Sequence, residues 1–209
     1  YNISKNYLDD HETWNKCHVD DLWIFDKLIL AKKLDYVCGP HGVSVPQKNN
    51  YIIRPCVNLM SMGRGAFFKE LSPSMNDEIP EGYFWCEIFK GRHLSIDYED
   101  GEQILCVEGF RNVNNPIWKW DKWIRTTDKV KFPNILKNLK GKYKYSNIEM
   151  IDGKIIEIHL RLNSDWVEMD YYQTSEMIPI FEGMENIEYM DYIYTSSPCY
   201  LRKGFYFKN

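Results

Sequence analysis

Residues 147–161 read NIEMIDGKIIEIHLR, and this stretch decides how the rest of the chain is interpreted. Runs rich in isoleucine lie on both sides of Asp152 and Gly153. Isoleucine favours strands, and an Asp-Gly pair between two such runs is a strong signal for a tight turn. The sequence therefore predicts a β-hairpin, with one strand on each side of the Asp-Gly pair.

Charged side chains alternate along the second strand of this hairpin, at Glu157, His159 and Arg161. Successive side chains of a strand point to opposite faces, so these three share one face. The other face is expected to carry Ile156, Ile158 and Leu160. A carboxylate and an imidazole can ligate a cation, and a guanidinium can hold phosphate or carboxylate oxygens. The pattern is equally consistent with a sheet face that is open to water.

The register of the hairpin decides whether Glu149, on the first strand, joins this charged face. A two-residue loop of Asp152 and Gly153 places Glu149 on the face opposite to that of Glu157. A three-residue loop, residues 151–153, or a β-bulge shifts the pairing by one residue and brings the two carboxylates together. The sequence permits both arrangements, and only the second makes a site with two carboxylates.

The composition indicates a folded protein and excludes some classes of function. The chain has 209 residues, of which 44% are hydrophobic and 15% aromatic, enough for one domain or for two small lobes. A net charge of −4 gives no general attraction to nucleic acids or anionic membranes, and no apolar run has transmembrane length. The six cysteines are scattered without zinc-site spacing, which is typical of thiols in a reducing compartment. We therefore expect a cytoplasmic protein.

Outside the hairpin, the sequence predicts short helices and an antiparallel meander. Residues 1–19 are polar and are expected to be irregular, and a helix is predicted from Asp20 to about Leu34. Strands are predicted at 51–57, 83–89, 94–98 and 103–107, and a helix at 133–140. Glu87 lies within one of these apolar strands and therefore needs a polar partner.

Two further segments allow more than one interpretation. Gly63, Arg64 and Gly65 can gather backbone amides around an anion, although a plain turn is the better-supported interpretation of so short a motif. Residues 111–131 mix tryptophans with lysines and arginines, which can stack on bases but also form packed amphipathic segments. Because no other nucleic-acid motif is present, packing is favoured and nucleic acid is not an expected partner.

The order of these pieces resembles the ATP-grasp superfamily of carboxylate–amine ligases. The resemblance covers residues 26–163 and rests on five pieces in sequence: Asp26-Lys27, a strand ending in Arg54 and proline, the glycine-rich loop, an apolar strand ending at Glu87, and the acid-bearing hairpin. It implies an α+β fold in which two α+β lobes with antiparallel sheets enclose a nucleotide cleft. The implied division is an N-terminal extension at 1–19, lobes at 20–86 and 87–163, and a C-terminal extension at 164–209.

The resemblance also implies positions around ATP for individual residues. Lys27 and Arg54 would contact the phosphates. The residues of the flexible loop over the phosphates would be Ser61, Gly63, Arg64 and Gly65. The backbone of Glu87, Ile88 and Phe89 would bind adenine, and His93 would lie near the ribose.

The hairpin would supply the metal site and a catalytic arginine. By resemblance, Glu149 and Glu157 would bridge Mg²⁺, while Arg161 and Arg54 would hold an acyl phosphate. The family pattern E-x-N-x-R reads Glu157-Ile-His159-Leu-Arg161 here, so a nitrogen stands in place of one oxygen ligand. Magnesium prefers oxygen. Either Asn163 substitutes for the missing ligand, or the site accepts Mn²⁺, or the metal site is impaired.

The function that the resemblance implies is an ATP-dependent ligase. It would use ATP and Mg²⁺ or Mn²⁺ to activate a carboxylate as an acyl phosphate for attack by an amine, with small molecules or peptides as substrates. Two alternatives stay open: a nucleotide-binding protein of the same fold with impaired catalysis, and an unrelated α+β binding module. Because Glu157→Gln removes charge without changing volume, it is expected to abolish turnover and leave the fold intact.

Overall fold

The computed structural model describes residues 9–57, 63–74, 79–171, 173–184, 192–193 and 202–208. These residues form an α+β fold with two sheets, in which every pair of neighbouring strands is antiparallel. Among them, no helix has the length and apolar character needed to cross a membrane.

The helices are short, and their bounds correct two predictions. The α-helices are α1 (Asp10–Lys16), α2 (Lys27–Lys33) and α3 (Ser164–Tyr171), and 3-10 helices span Val19–Phe25 and Asn134–Leu139. Irregular structure throughout residues 1–19 is wrong because α1 lies there. A single helix from Asp20 to Leu34 is also wrong. Asp26 interrupts it, since its backbone is extended and its side chain accepts the N–H of Ile29 as the N-cap of α2.

The first sheet has four strands, in the spatial order β1-β4-β2-β3. Their bounds are β1 (Cys38–Pro40), β2 (Asn49–Pro55), β3 (Phe67–Leu71) and β4 (Tyr83–Cys86). The strand predicted at 83–89 therefore ends at Cys86. Residues 87–92 then connect the first sheet to the second, so Glu87 lies in this connector rather than in the middle of a strand.

The second sheet has eight strands, in the spatial order β11-β12-β10-β7-β6-β5-β8-β9. The bounds are β5 (His93–Glu99), β6 (Glu102–Phe110), β7 (Lys122–Arg125), β8 (Tyr145–Ile151), β9 (Lys154–His159), β10 (Glu176–Phe181), β11 (Tyr192–Ile193) and β12 (Arg202–Lys208). Residues after 164 thus contribute three strands, because β10 pairs with β7 and β12 pairs with β10.

The predicted hairpin is formed by β8 and β9, and its loop has two residues. Ile151 pairs with Lys154, which leaves Asp152 and Gly153 as the turn. Their φ angles are 50° and 77°. A tight hairpin turn whose twist matches the strands requires positive φ at both central residues, and Asp-Gly is one of the few pairs that adopts it readily.

A β-bulge next to this loop shifts the strand pairing by one residue and so brings Glu149 onto the same face as Glu157. Met150 pairs with Ile155, but the next residue back on β8, Glu149, pairs with Glu157, so Ile156 is an extra residue on β9. The bulge alternative is therefore confirmed, and the two carboxylates lie directly opposite each other on one face. Ile156 leaves the apolar face predicted for it and lines the cleft between the sheets.

The opposite face of the second sheet builds the larger core. It packs against the 3-10 helix at Val19–Phe25 and against α2, and its buried members include Ile96, Ile148 and Ile158. A second cluster joins Trp123 to Trp166, which confirms the packing interpretation of the tryptophan-rich segment. Because the apolar face of the second sheet packs against these helices, its charged face is directed toward the first sheet.

Candidate functional site

The charged face of the second sheet and the inner face of the first sheet line a shared cavity of about 740 Å³. Ile52 and Arg54 of β2 and Phe68 of β3 form one wall, and residues 87–91 of the connector form another. The facing wall carries the polar side chains of His93, Glu149, Glu157, His159 and Arg161. The structure therefore places the hairpin acids, Arg54 and the connector around one cavity.

Glu157 is buried among three cationic side chains. Its Oε2 lies 3.2 Å from Lys27 Nζ and 3.2 Å from Arg54 Nη2, and its Oε1 lies 3.1 Å from His159 Nε2. Burial by itself would raise the pKa of Glu157, but Lys27, His159 and Arg54 together hold it well below its usual range. Glu157 is thus an ionised carboxylate whose two oxygens both have protein partners.

His159 lies between two carboxylates, and this defines its protonation. Its Nδ1 is 2.9 Å from Asp10 Oδ1, and its Nε2 faces Glu157. A carboxylate only accepts hydrogen bonds when ionised, so both ring nitrogens must carry protons. Burial and the nearby Arg161 oppose this charge, but Asp10 and Glu157 outweigh them and raise the pKa of His159 to about 9.

Asp10 also holds Arg161, in a two-pronged ion pair. Asp10 Oδ1 accepts from Arg161 Nε at 2.8 Å, and Asp10 Oδ2 accepts from Nη2 at 2.8 Å. Burial opposes ionisation of Asp10, yet His159 and Arg161 hold its pKa well below its usual range. This geometry is the strong form of an arginine–carboxylate contact.

Sequence reasoning missed Asp10, although a local signal was present. Asp9 accepts the N–H of Glu12, and Glu12 accepts the N–H of Asp9, so the two form a capping box at the start of α1. An acidic cap residue followed three positions later by glutamate is a signature of a helix start. The signal predicts α1, but no local pattern connects Asp10 to a histidine 149 residues away.

Glu149 contacts a different side chain, the imidazole of His93. The Oε2 of Glu149 lies 3.2 Å from His93 Nε2. The His93 ring also contacts Trp120 and Trp123 edge-on, with ring centroids 4.6 Å and 5.6 Å apart. His93 is therefore placed beside an acid and two tryptophans at the charged face of β5.

Behind these acids, Asp97 is fully buried with polar neighbours. Its Oδ1 accepts from Asn147 Nδ2 at 2.8 Å and from the N–H of Asn163 at 3.1 Å. Burial nevertheless raises the pKa of Asp97 to about 7, against the opposing effect of these hydrogen bonds. Among the described residues, Asn147 Oδ1 is a buried acceptor with no hydrogen-bond partner.

Asp97→Asn is expected to stabilise the fold at pH 8 more than at pH 4. In the unfolded chain Asp97 ionises near its ordinary pKa, and in the fold it keeps its proton until about pH 7. The folded state therefore binds more protons in that interval, and wild-type stability falls as pH rises through it. The gain at pH 8 should reach a few kcal/mol, since each pKa unit corresponds to about 1.4 kcal/mol. Urea unfolding of both proteins across this range measures it, and a gain independent of pH would contradict it.

The residues proposed as metal ligands do not fit a magnesium site. Both nitrogens of His159 face carboxylates, so the ring offers no lone pair. Asn163 Oδ1 accepts the N–H of Asp165 at the start of α3 instead of pointing a free oxygen at the acids. The described residues contain no group of three or more His, Cys, Asp or Glu side chains that could hold a metal ion. The arrangement is a network of protein ion pairs.

Most of the other predicted site residues lie in or next to the cavity. Glu87 turns its carboxylate to the N–H of Val37, at 3.0 Å, which supplies its polar partner. Ile88 and Phe89 line the cavity next to it. Gly63 lines the same cavity and Gly65 has a φ of 78°, while Arg64 is half-buried. Ser61 lies outside the described residues.

The solved structures to which this chain is similar include two ligases and one protein described as a member of the ATP-grasp superfamily. An L-amino acid ligase from Bacillus licheniformis aligns with 71% of this chain and 43% of its own, at 11% identity and a TM-score of 0.51. A protein described as an ATP-grasp superfamily member from Archaeoglobus fulgidus aligns with 88% of this chain and 63% of its own, at 15% identity and a TM-score of 0.45. A D-alanine–D-alanine ligase from Bacillus anthracis complexed with ATP aligns with 73% of this chain and 62% of its own, at 14% identity and a TM-score of 0.39.

Comparisons with protein-family models and with curated proteins found no match. The chain spans less than two thirds of the length of each structural relative named above. At such low identity the likeness concerns the fold alone. The chain has an α+β fold similar to that of the L-amino acid ligase, and the α+β class is the one predicted from the sequence.

Proposed function

We propose that this protein binds ATP in the cavity between its two sheets and uses it to activate a carboxylate for attack by an amine. The observation that carries the proposal is the concentration of buried cations at one place in that cavity, on an ATP-grasp-like fold. Arg54, His159 and Arg161 line it, and Lys27 reaches Glu157 from behind. Buried cations that exceed their acidic partners favour a polyanionic ligand.

The connector is the proposed contact for the adenine base. Within the described residues, no hydrogen bond uses the backbone N–H or C=O of Ile88 or Phe89. Backbone groups at a cavity wall can read the edge of a base, and apolar side chains can pack on its faces. Ile52 and Phe68 on the first sheet and Ile156 on the bulge supply such apolar surface.

The phosphates are proposed to extend from the connector toward Arg54 and Lys27, under the loop that contains Gly63 and Gly65. The carboxylate of the substrate would attack the γ-phosphorus, ADP would leave, and an acyl phosphate would form. The amine would then displace phosphate from the acyl carbon to give an amide. Arg54, Lys27 and Arg161 would neutralise the charge that moves between these groups.

A second candidate is a protein that binds the nucleotide without turning it over. The observation in its favour is His159, which stands where the family pattern has asparagine and is held as a cation between Asp10 and Glu157. The two candidates differ in turnover only, since both require ATP in the same cavity. For either one we propose a cytoplasmic location, supported by five described cysteines that are free thiols.

ATP is expected to raise the melting temperature of the wild-type protein. At a hundredfold excess over Kd, linkage adds roughly 2.7 kcal/mol to the stability of the folded state. Ile52→Glu places a carboxylate in the cavity wall. It should weaken the apparent affinity for ATP by at least about tenfold and so reduce the rise in melting temperature. The matched control is Ile104→Glu, because Ile104 is 50% exposed on β6.

Calorimetry with ATP measures the affinity, and the release of ADP and phosphate with panels of carboxylates and amines measures turnover. Absence of heat and of a melting shift with ATP would overturn both candidates. Binding without release of ADP under any substrate pair would leave the second candidate and overturn the first. Equal loss of ATP binding in Ile52→Glu and Ile104→Glu would place the nucleotide elsewhere.

A further inference from the structure

Among the described residues, the two hairpin carboxylates contact different side chains. Glu149 and Glu157 lie directly opposite each other across β8 and β9, where paired side chains are about 5 Å apart. Two ionised carboxylates at that separation repel unless positive charge is supplied. Glu157 has three such charges in contact with it, Lys27, Arg54 and His159, whereas Glu149 contacts the ring of His93. The charge on Glu157 that a bridging metal would neutralise is therefore already balanced by side chains.

A divalent cation at Glu157 would have to compete with these side chains. Magnesium requires oxygen ligands at about 2.0–2.1 Å in near-octahedral geometry. Oε2 of Glu157 is shared by Lys27 and Arg54, and Oε1 faces the His159 imidazolium. A metal ion bound to either oxygen would lie a few ångströms from three positive charges in a buried site, where repulsion is poorly screened.

The network also carries more positive than negative charge. Its cations are Lys27, Arg54, His159 and Arg161, and its carboxylates are Asp10 and Glu157. Each cation contacts Asp10 or Glu157, but the cations outnumber these two carboxylates, and the net charge of the network stays positive when the neighbouring Glu149 is included. A triphosphate supplies negative charge in the adjoining cavity, and it supplies more when no divalent cation is bound to it.

We propose that the cavity binds its nucleotide as the metal-free polyphosphate, with Lys27, Arg54 and His159 in the charge-neutralising place of a divalent cation. The proposal rests on the proposed nucleotide binding and goes beyond it by specifying the ionic form of the ligand. It also explains why a histidine stands at position 159, where the family pattern has an oxygen ligand.

Calorimetric titration of the wild-type protein with ATP tests the proposal directly, in buffer with EDTA and in buffer with excess Mg²⁺ or Mn²⁺. The Kd in EDTA should be equal to the Kd with metal within about threefold, or tighter. A Kd that is tighter with either metal by more than about threefold would overturn the proposal while leaving the proposed function in place. Absence of binding under all three conditions would overturn the proposed function itself.

Glu149→Gln is expected to change the affinity for ATP in opposite directions in a metal-dependent site and in a metal-free site. If a metal held the phosphates, loss of this carboxylate would weaken ATP binding in the presence of Mg²⁺. In a metal-free site it removes a negative charge near the phosphates, so ATP in EDTA should bind about two- to fivefold more tightly. Weaker binding in EDTA would overturn the proposal. Glu149 is only partly buried, which favours a folded variant.

His159→Asn restores the family's oxygen ligand and removes a cation. It is expected to weaken ATP binding in EDTA and to introduce a dependence on Mg²⁺ of at least about tenfold. His18→Asn is the matched control, because His18 is more than half exposed and lies outside the cavity. Unchanged metal independence in a folded His159→Asn protein would overturn the role assigned to His159. If that variant does not fold, the wild-type and Glu149→Gln titrations still decide the proposal.

Discussion

Glu157→Gln is expected to lower the free energy of unfolding by about 3–5 kcal/mol, as removal of one partner from a buried ion pair does in other proteins. The change leaves Lys27 buried, at 5% exposure, without its carboxylate. Burial already lowers the pKa of Lys27, and Glu157 is the main effect that opposes it. Urea unfolding at neutral pH measures the loss. The sequence alone predicts that this change leaves the fold intact, and the buried ion pair predicts the opposite.

A double-mutant cycle shows whether this loss comes from the pair. Lys27→Met should be destabilising by itself, because it leaves Glu157 with fewer cations, and the double variant should be more stable than the sum of the single changes predicts. Glu102→Gln is the matched control, since its ion pair with Lys140 is exposed and should change the stability far less than loss of the buried pair does. Strict additivity of the two single changes would contradict the ion-pair explanation.

The parts of the fold that local pattern could predict are those set by neighbouring residues. The alternation of Glu157, His159 and Arg161 predicts a shared face, and the Asp-Gly pair predicts the turn, because both depend on the geometry of a few residues. The same local information leaves the register open. Either a longer loop or a bulge brings Glu149 opposite Glu157, and the chain uses the bulge at Ile156.

Other features depend on contacts between distant segments. The helix predicted through Asp26 is interrupted where the N–H of Lys27 donates to the carbonyl of Cys56. This contact joins α2 to the residue that follows β2, and hydrophobic spacing does not reveal it. The protonation of His159 is of the same kind. In the sequence, an imidazole next to a glutamate suggests a metal ligand. In the structure, Asp10 of α1 contacts the same imidazole and stabilises its protonated form.

Asp10→Asn is expected to have the second large effect, on stability and on the charge of His159. Asn keeps the shape of the side chain but leaves Arg161, buried with it, without its two-pronged partner. A loss of about 3–5 kcal/mol in unfolding free energy follows from breaking such a pair. Asp10 is also the largest of the effects that raise the pKa of His159, so that pKa should fall from about 9 toward neutrality. Urea unfolding measures the first effect, and NMR titration of the His159 ring measures the second.

The neighbouring residue provides a control on the same helix. Asp9→Asn makes the same chemical change at the N-cap of α1, where Asn is as good a cap as Asp, so it should alter stability by only a few tenths of a kcal/mol. It should also leave the His159 titration in place. Equal losses from the two substitutions would mean that Asp10 acts through α1 in general and not through Arg161 and His159. An unchanged His159 pKa in Asp10→Asn would mean that Glu157 alone holds the ring charged, because it is the other carboxylate in contact with it.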